Sequence, residues 1–186
     1  MSTMREVVVA ANWKMNTTPS DAGPLATEIA HRTRADGVTL VICPPFVCLA
    51  AVRDALKGEG VGIGAQNVHA ELMGAFTGEI AAPMLIGLVE WVIVGHSERR
   101  RDAGETDELV GRKVRRALDA GLRPILCVGE QLAERDAGRA SDVVASQVRG
   151  SLSGMATDVE AAARSTARSE ERRVGKECRS RWSPYH

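Results

Sequence analysis

The chain has 186 residues, enough for one ordinary domain with a hydrophobic core. Its 24 basic and 24 acidic residues give a net charge of +0, which argues against nucleic acid or an anionic membrane as a partner. No apolar run is long enough to cross a membrane, the first residues lack a signal-peptide pattern, and the four cysteines lack CxxC spacing, so we expect a cytoplasmic protein with reduced thiols.

Short apolar runs predict five β-strands that recur at intervals of about 23 to 32 residues. In chain order, the runs are VVVAANW (7–13), VTLVIC (38–43), VGIGAQ (61–66), WVIVG (91–95) and RPILCVG (123–129). They are rich in valine and isoleucine and do not alternate with polar residues, which is typical of strands buried on both faces of a parallel sheet.

Helical patterns lie between most of these runs. The apolar positions are Leu25 and Ile29 in the first helix, Val47, Ala51, Ala55 and Leu56 in the second, Val110, Val114, Ala117 and Leu118 in the third, and Val144, Val148, Leu152 and Met155 in the fourth. Gly121 is placed to end the third helix, and Ser141 is a candidate N-cap of the fourth. Segment 71–88 instead predicts a glycine-rich loop followed by a short helix at most.

Alternating strands and helices predict an α/β fold in which helices cover a parallel sheet through right-handed crossovers. An open doubly wound sheet and a closed eightfold barrel both fit this pattern. A dinucleotide-binding open sheet usually carries G-x-G-x-x-G after its first strand, but NWKMN (12–16) contains no glycine. GIGAQN (62–67) lacks the third glycine and lies mostly within a predicted strand, so it carries no prediction of a nucleotide site.

Polar residues follow the predicted strands, where parallel α/β folds place their chemistry. Asn12 and Lys14 follow the first strand, and His96 follows the fourth. An ammonium group, an amide and an imidazole could converge there on one anionic molecule. Each of these residues alone is more often structural or solvated, and the arginines of ERRRD (98–102) could simply pair with nearby carboxylates.

Six motifs together resemble the triosephosphate isomerase family. They are NWKMN (12–16), AQNVH (65–69), GAFTGEI (74–80), VGHSERR (94–100), GETDELVGRKV (104–114) and LCVGE (126–130), and the similarity covers about residues 5–155. The resemblance implies a TIM (β/α)₈ barrel and an isomerase of glycolysis and gluconeogenesis. That enzyme interconverts dihydroxyacetone phosphate and glyceraldehyde 3-phosphate by proton transfer through an enediolate, and it needs no cofactor or metal.

The resemblance also implies roles for individual residues. His96 matches the neutral histidine that polarises the substrate carbonyl, an arrangement for which this family is itself the standard example. Lys14 matches the lysine that holds the anionic substrate, and Asn12 matches its hydrogen-bonding neighbour. Glu98 matches a catalytic carboxylate close to the lysine and the histidine, and Ser97 matches a residue that supports the histidine loop.

A further implication concerns assembly. Ala75, Phe76 and Thr77 match the loop that inserts into a second subunit of a homodimer, with Thr77 nearest the partner's active site. An alternative interpretation follows from the same loop: the chain is a non-catalytic subunit that pairs with a full-length enzyme.

The sequence departs from the family where the base should be. The reaction needs a positioned base, which in the family is a glutamate ending the sixth strand in a motif like A-Y-E-P-V-W-A-I-G. This motif is absent, and Glu160, Glu170 and Glu171 are not followed by Pro-Val-Trp. A full barrel typically needs about 250 residues. We therefore expect an incomplete barrel of about five strand–helix units that is inactive as written.

The last residues change in character. Residues 166–186 carry six basic and three acidic side chains, and they show no helical or strand periodicity. The segment RRVGKECRSRWSPYH resembles a vector- or adapter-derived tail. We therefore predict a partial barrel over residues 1–165 and an unrelated, disordered or artefactual tail over residues 166–186.

Overall fold

The computed structural model describes residues 7–33 and 35–155 and the backbone of residues 166–168. Within these residues, all strands form one parallel sheet whose strand order follows chain order. The strands are β1 Val7–Asn12, β2 Val38–Cys43, β3 Gly62–Ala65, β4 Trp91–Val94, β5 Arg123–Val128 and β6 Thr166–Arg168. The helices are α1 Pro19–Arg32, α2 Leu49–Ala55, α3 Ser97–Asp102, α4 Asp107–Asp119, α5 Leu132–Asp136 and α6 Ala140–Ser151, with 3₁₀ turns at Phe46–Cys48 and Ala82–Leu85.

Two clusters of buried side chains show that β2, β4 and β5 are covered on both faces. The larger cluster joins alternate strand residues, such as Ile42 and Val92, to helix residues, such as Val52 and Val110. The intervening strand residues form a second cluster, Val41, Cys43, Trp91, Ile93, Ile125 and Cys127, which includes no helix residue. Helices therefore lie on one face of a curled parallel sheet, as in a (β/α)₈ barrel, and the predicted fold class is confirmed.

Local sequence explains the clearest helix. The Thr106 hydroxyl accepts a hydrogen bond from the Leu109 amide at 3.3 Å, which caps the start of α4. Val110, Val114 and Ala117 are buried on one side of this helix, as their spacing predicts. Gly121 has a φ of +74°, which suits a residue just beyond a helix end. The predicted end of this helix is confirmed.

The second predicted helix is wrong at its start. Val47 lies in the 3₁₀ turn before α2, and 72% of its surface is exposed. Pro44 and Pro45 keep the preceding backbone from being helical, and the 3₁₀ turn has a tighter period than an α-helix. The buried face of α2 is therefore set by Leu49 and Val52.

Other boundaries also differ from the sequence prediction. Arg139, rather than Ser141, is the N-cap of α6. The structure adds the short helices α3 and α5 and a sixth strand, β6, which pairs with β5 in parallel with Leu126 opposite Thr166. Strand β6 lies at the start of the segment predicted as an unrelated tail. The boundary at residue 165 and the disorder of residues 166–186 otherwise stay predictions.

The helices of the described ranges are all too short, or too polar, to traverse a lipid bilayer.

Candidate functional site

Lys14, His96 and Glu98 form a group at the carboxyl ends of β1 and β4, which we call the strand-end site. The Lys14 Nζ atom lies 2.9 Å from Glu98 Oε1, and the two side chains are 43% and 41% exposed. Glu98 Oε2 lies 3.5 Å from His96 Nδ1. One carboxylate therefore contacts both the ammonium group and the imidazole, although 84 positions of sequence separate Lys14 from Glu98.

Hydrogen bonds on both sides hold the backbone of Lys14. Its φ of +54° is unusual for a residue with a side chain. The Asn12 side chain accepts a hydrogen bond from the Lys14 amide at 2.9 Å. The Gln66 side chain donates to the carbonyl groups of both Lys14 and Cys43, each at 2.9 Å. These bonds stabilise a strained conformation that aims the ammonium group at the strand-end site.

His96 leaves β4 and caps the next helix. It is 7% exposed and is the N-cap residue of α3. Its Nδ1 atom lies 3.3 Å from the backbone nitrogen of Glu98. Because a backbone amide can only donate, this bond requires an unprotonated Nδ1, which leaves the proton on Nε2 in the neutral imidazole. The histidine then offers an N–H donor on its other side.

The structure brings together some of the residues that the sequence predicts for the site. Lys14, Glu98 and His96 are in contact, and Asn12 bonds to the Lys14 backbone. Ser97 is the first residue of α3 and is exposed.

The predicted subunit loop is also exposed. Its residues Ala75, Phe76 and Thr77 are all exposed to solvent. The ring centroids of Phe76 and His69 lie 4.3 Å apart. Glu160, Glu170 and Glu171 lie outside the described residues.

Sequence reasoning missed a hydrogen-bonded group of three charged residues and one amide, which we call the buried network: Asn67, Arg99, Glu105 and Lys113. The Lys113 Nζ atom lies 2.6 Å from Glu105 Oε1 and 2.9 Å from Asn67 Oδ1. Arg99 donates to the same Glu105 oxygen. The side chains of Lys113 and Glu105 are 3% and 1% exposed, so this ion pair is removed from water.

Burial and pairing act in opposite directions on the Glu105 carboxyl. Burial raises its pKa, but hydrogen bonds from Lys113 and Arg99 outweigh burial, so the pKa lies below its usual value. Burial lowers the pKa of Lys113, and the Glu105 carboxylate opposes that change only in part. The network therefore stabilises an ionised carboxylate inside the fold.

A signal in the sequence could have revealed this network. Lys113 stands between Val110 and Val114 in the apolar stripe of α4, where a lysine needs a buried partner. The arginines of ERRRD do pair with carboxylates: Arg99 with Glu105, Arg100 with Asp107, and Arg101 with Asp102. The prediction that these arginines pair with nearby carboxylates is confirmed.

The strand-end site combines an ammonium group for an anion with a neutral N–H donor for a carbonyl oxygen. Across residues 7–33 and 35–155, no three histidine, cysteine, aspartate or glutamate side chains are grouped closely enough to hold a metal ion.

Comparison with known proteins gives a consistent family. The family model for triosephosphate isomerase matches residues 7–163. A triosephosphate isomerase of Symbiobacterium thermophilum is 53% identical over 127 residues, which are 67% of this chain and 50% of that protein. Those of Acetivibrio thermocellus and Dehalococcoides mccartyi are 49% and 46% identical over 125 and 126 residues, with the same two shares.

The chain thus spans about half the length of the curated relatives it matches. The matched region contains β1 to β5 and every residue of the strand-end site and the buried network. The chain belongs to the triosephosphate isomerase family.

Proposed function

We propose that the protein is a triose-phosphate isomerase that interconverts dihydroxyacetone phosphate and glyceraldehyde 3-phosphate. The observation that carries this proposal is the convergence of Lys14, Glu98 and His96 at the carboxyl ends of barrel strands in a chain of this family. A role in glycolysis and gluconeogenesis and a cytoplasmic location stay predictions of the sequence.

In this proposal each side chain has a distinct task. The Lys14 ammonium group attracts the phosphorylated triose, and Asn12 supports it by fixing the Lys14 backbone. The Nε2–H of His96 polarises the substrate carbonyl and stabilises the negative charge that develops on its oxygen. Glu98 holds the ammonium group in place until the substrate binds. Ser97 starts the helix that follows the histidine.

The proton transfer also needs a base. Because the family's glutamate motif does not occur in the sequence, we expect the 186-residue chain alone to show nearly no turnover. A decisive test joins residues 1–163 to the matching second half of the Symbiobacterium thermophilum relative. The chimera should isomerise dihydroxyacetone phosphate in a coupled assay.

Variants of the chimera test the proposed roles. His96→Gln should lower kcat about 100-fold or more, as expected when a donor to a developing oxyanion is lost. Lys14→Met should raise KM and lower kcat, because the anion loses its counter-charge. Arg101→Gln is the control, since Arg101 pairs with its sequence neighbour Asp102 and its side chain is 66% exposed. A folded chimera whose turnover does not depend on His96 would contradict the proposal.

Assembly as a homodimer is a second part of the proposal. Several large apolar side chains are exposed, one of them, Phe76, on the predicted subunit loop: Met15, Val47, Met73, Phe76, Met84 and Ile86. This much exposed apolar surface favours a protein partner. The same surface supports the alternative of a non-catalytic subunit that pairs with full-length enzyme.

Mixing the chain with the intact relative distinguishes these assemblies. Mixed dimers detected by native mass spectrometry, with reduced turnover per intact subunit, would support the non-catalytic subunit. A dimer of the chimera alone, with no exchange, would support the homodimer. Phe76→Asp should weaken either assembly, and monomeric behaviour of every unmodified sample would contradict both.

A further inference from the structure

Arg100 makes three side-chain contacts that join separate elements of the fold. Its Nε atom donates to the carbonyl oxygen of Gly95 at 2.8 Å, and Nη1 lies 2.6 Å from Asp107 Oδ1. Its Nη2 atom lies 3.5 Å from the hydroxyl of Ser151, which is fully buried. The guanidinium therefore connects the end of β4 to the first residue of α4 and the last residue of α6.

The same residue also holds the peptide group on the other side of His96. The backbone nitrogen of Arg100 donates to the carbonyl oxygen of His96 at 3.0 Å, in the first turn of α3, and the Arg99 amide donates to the same oxygen at 2.9 Å. The carbonyl before His96 and the carbonyl after it are thus both bonded to Arg100, one through the side chain and one through the backbone. Fixing two successive peptide planes fixes the direction of the Cα–Cβ bond between them.

The surroundings leave the guanidinium little freedom. Its side chain is 16% exposed. Gly95 has a φ of +69°, and a Cβ atom there would lie 3.1 Å from Arg100 Nη2 and 2.9 Å from a methyl group of Val110. A Cβ atom on Gly150 would lie 2.8 Å from the Asp107 side chain. Close backbone approach on both sides therefore holds the Arg100–Asp107 pair in place.

The neighbouring arginines have different partners. Arg99 belongs to the buried network, and Arg101 bonds to the adjacent Asp102 with both side chains more than half exposed. Of the three, Arg100 has the side chain that reaches the peptide group preceding His96.

We propose that Arg100, anchored by Asp107, is a positioning residue for His96. It aims the imidazole by holding the two flanking peptide groups against α4 and α6, without touching the substrate itself. This inference rests on the proposed function only in that it gives His96 a catalytic role. The geometric claim concerns the imidazole and the Glu98 amide that bonds to it.

The test uses the ¹⁵N-labelled 186-residue chain and needs no turnover. Two quantities are measured by NMR: the ring ¹⁵N shifts of His96, which report the tautomer, and the hydrogen-exchange rate of the Glu98 amide. Arg100→Gln should raise that exchange rate about tenfold or more, as expected when a charge-assisted hydrogen bond that orders the turn is lost. The ring shifts should move toward a mixture of tautomers.

Matched variants separate positioning from general stability. Arg101→Gln, one position along the same short helix, should change neither quantity. Arg100→Lys, which keeps the charge and one donor, should show a smaller change than Arg100→Gln. The amide of Ile42 in β2 serves as the internal reference and should change less than about twofold in every variant.

The result that would overturn the proposal is an unchanged Glu98 amide and unchanged His96 shifts in Arg100→Gln, or an equal rise in exchange at Glu98 and Ile42. If Arg100→Gln does not fold, Asp107→Asn decides by the same readouts, since it weakens the anchor but keeps an acceptor oxygen. A selective change at Glu98 supports the proposal, and no change overturns it. Failure of the isomerase proposal would appear separately, as a chimera without turnover.

Discussion

The strand-end site and the buried network are both built from a lysine and a glutamate, yet water reaches them very differently. Lys14 and Glu98 are each more than 40% exposed, whereas Lys113 and Glu105 are each 3% exposed or less. In the exposed pair, Lys14 can exchange Glu98 for an anionic ligand at a small cost in free energy, because water screens both charges. The buried pair cannot separate without leaving a charge inside the fold.

The comparison shows how one chemical pair can serve two purposes. The buried network ties the loop after β3, through Asn67, to α4, through Lys113, and so supports the elements next to the site. Arg99 connects this network to α3, the helix that carries Glu98. The buried pair is therefore linked to the helix that carries the glutamate of the exposed pair.

The largest expected effect breaks the buried pair. Lys113→Met should lower the free energy of unfolding by about 3–5 kcal/mol, because it leaves the Glu105 carboxylate buried without its main counter-charge. Urea unfolding followed by circular dichroism measures this change. Arg112→Met is the matched control on the same helix, since Arg112 is 62% exposed and pairs with Glu71 at the surface. Equal losses in the two variants would show that burial does not distinguish the pairs.

The next effect concerns acid stability. In the folded protein the pKa of Glu105 lies below the value of about 4.3 that a glutamate has in an unfolded chain. Its contribution to stability is therefore fully present above that pH and is lost as the pH falls through the folded pKa. The slope of this loss is at most about 1.4 kcal/mol per pH unit for one proton.

Urea midpoints measured from roughly pH 3 to 7 should decline less steeply with acid in Glu105→Gln than in the unmodified chain. Parallel profiles for the two proteins would mean that Glu105 does not carry the acid sensitivity.

The smallest expected effect on stability belongs to the strand-end site. Glu98→Gln and Lys14→Met should each change the free energy of unfolding by less than about 1 kcal/mol, because the pair is half-exposed and screened by water. The same substitutions in the chimera should strongly reduce isomerase turnover. A large loss of stability in either variant would place this pair with the buried network and remove the contrast.

Much of the fold could be predicted from the sequence. The positions of β1 to β5 were identified from unbroken runs of valine and isoleucine. The prediction that each of these strands is buried on both faces is wrong for β1, where Val7 and Val9 are 54% and 51% exposed. The α4 stripe and its end at Gly121 were also identified, since both depend on local spacing. The start of α2 was wrong, because a 3₁₀ turn changes the period and moves Val47 to the surface.

The buried network could not be predicted by counting charges. Asn67, Arg99, Glu105 and Lys113 lie on separate elements, and each residue alone looks like an ordinary polar side chain. The three arginines after Glu98 also look equivalent in sequence. Only their partners show that one joins the network, one holds the peptide before His96 and one lies at the surface.

The sequence by itself determined the family, the order of β1 to β5 and of the longer helices between them, and the residues that follow each of these strands. These features depend on composition, local periodicity and motifs that are read along the chain. Tertiary structure alone decided which charges are buried and which arginine holds the turn at His96. The physical reason is that burial and pairing depend on distances between segments far apart in the chain, and the curl of the sheet sets those distances.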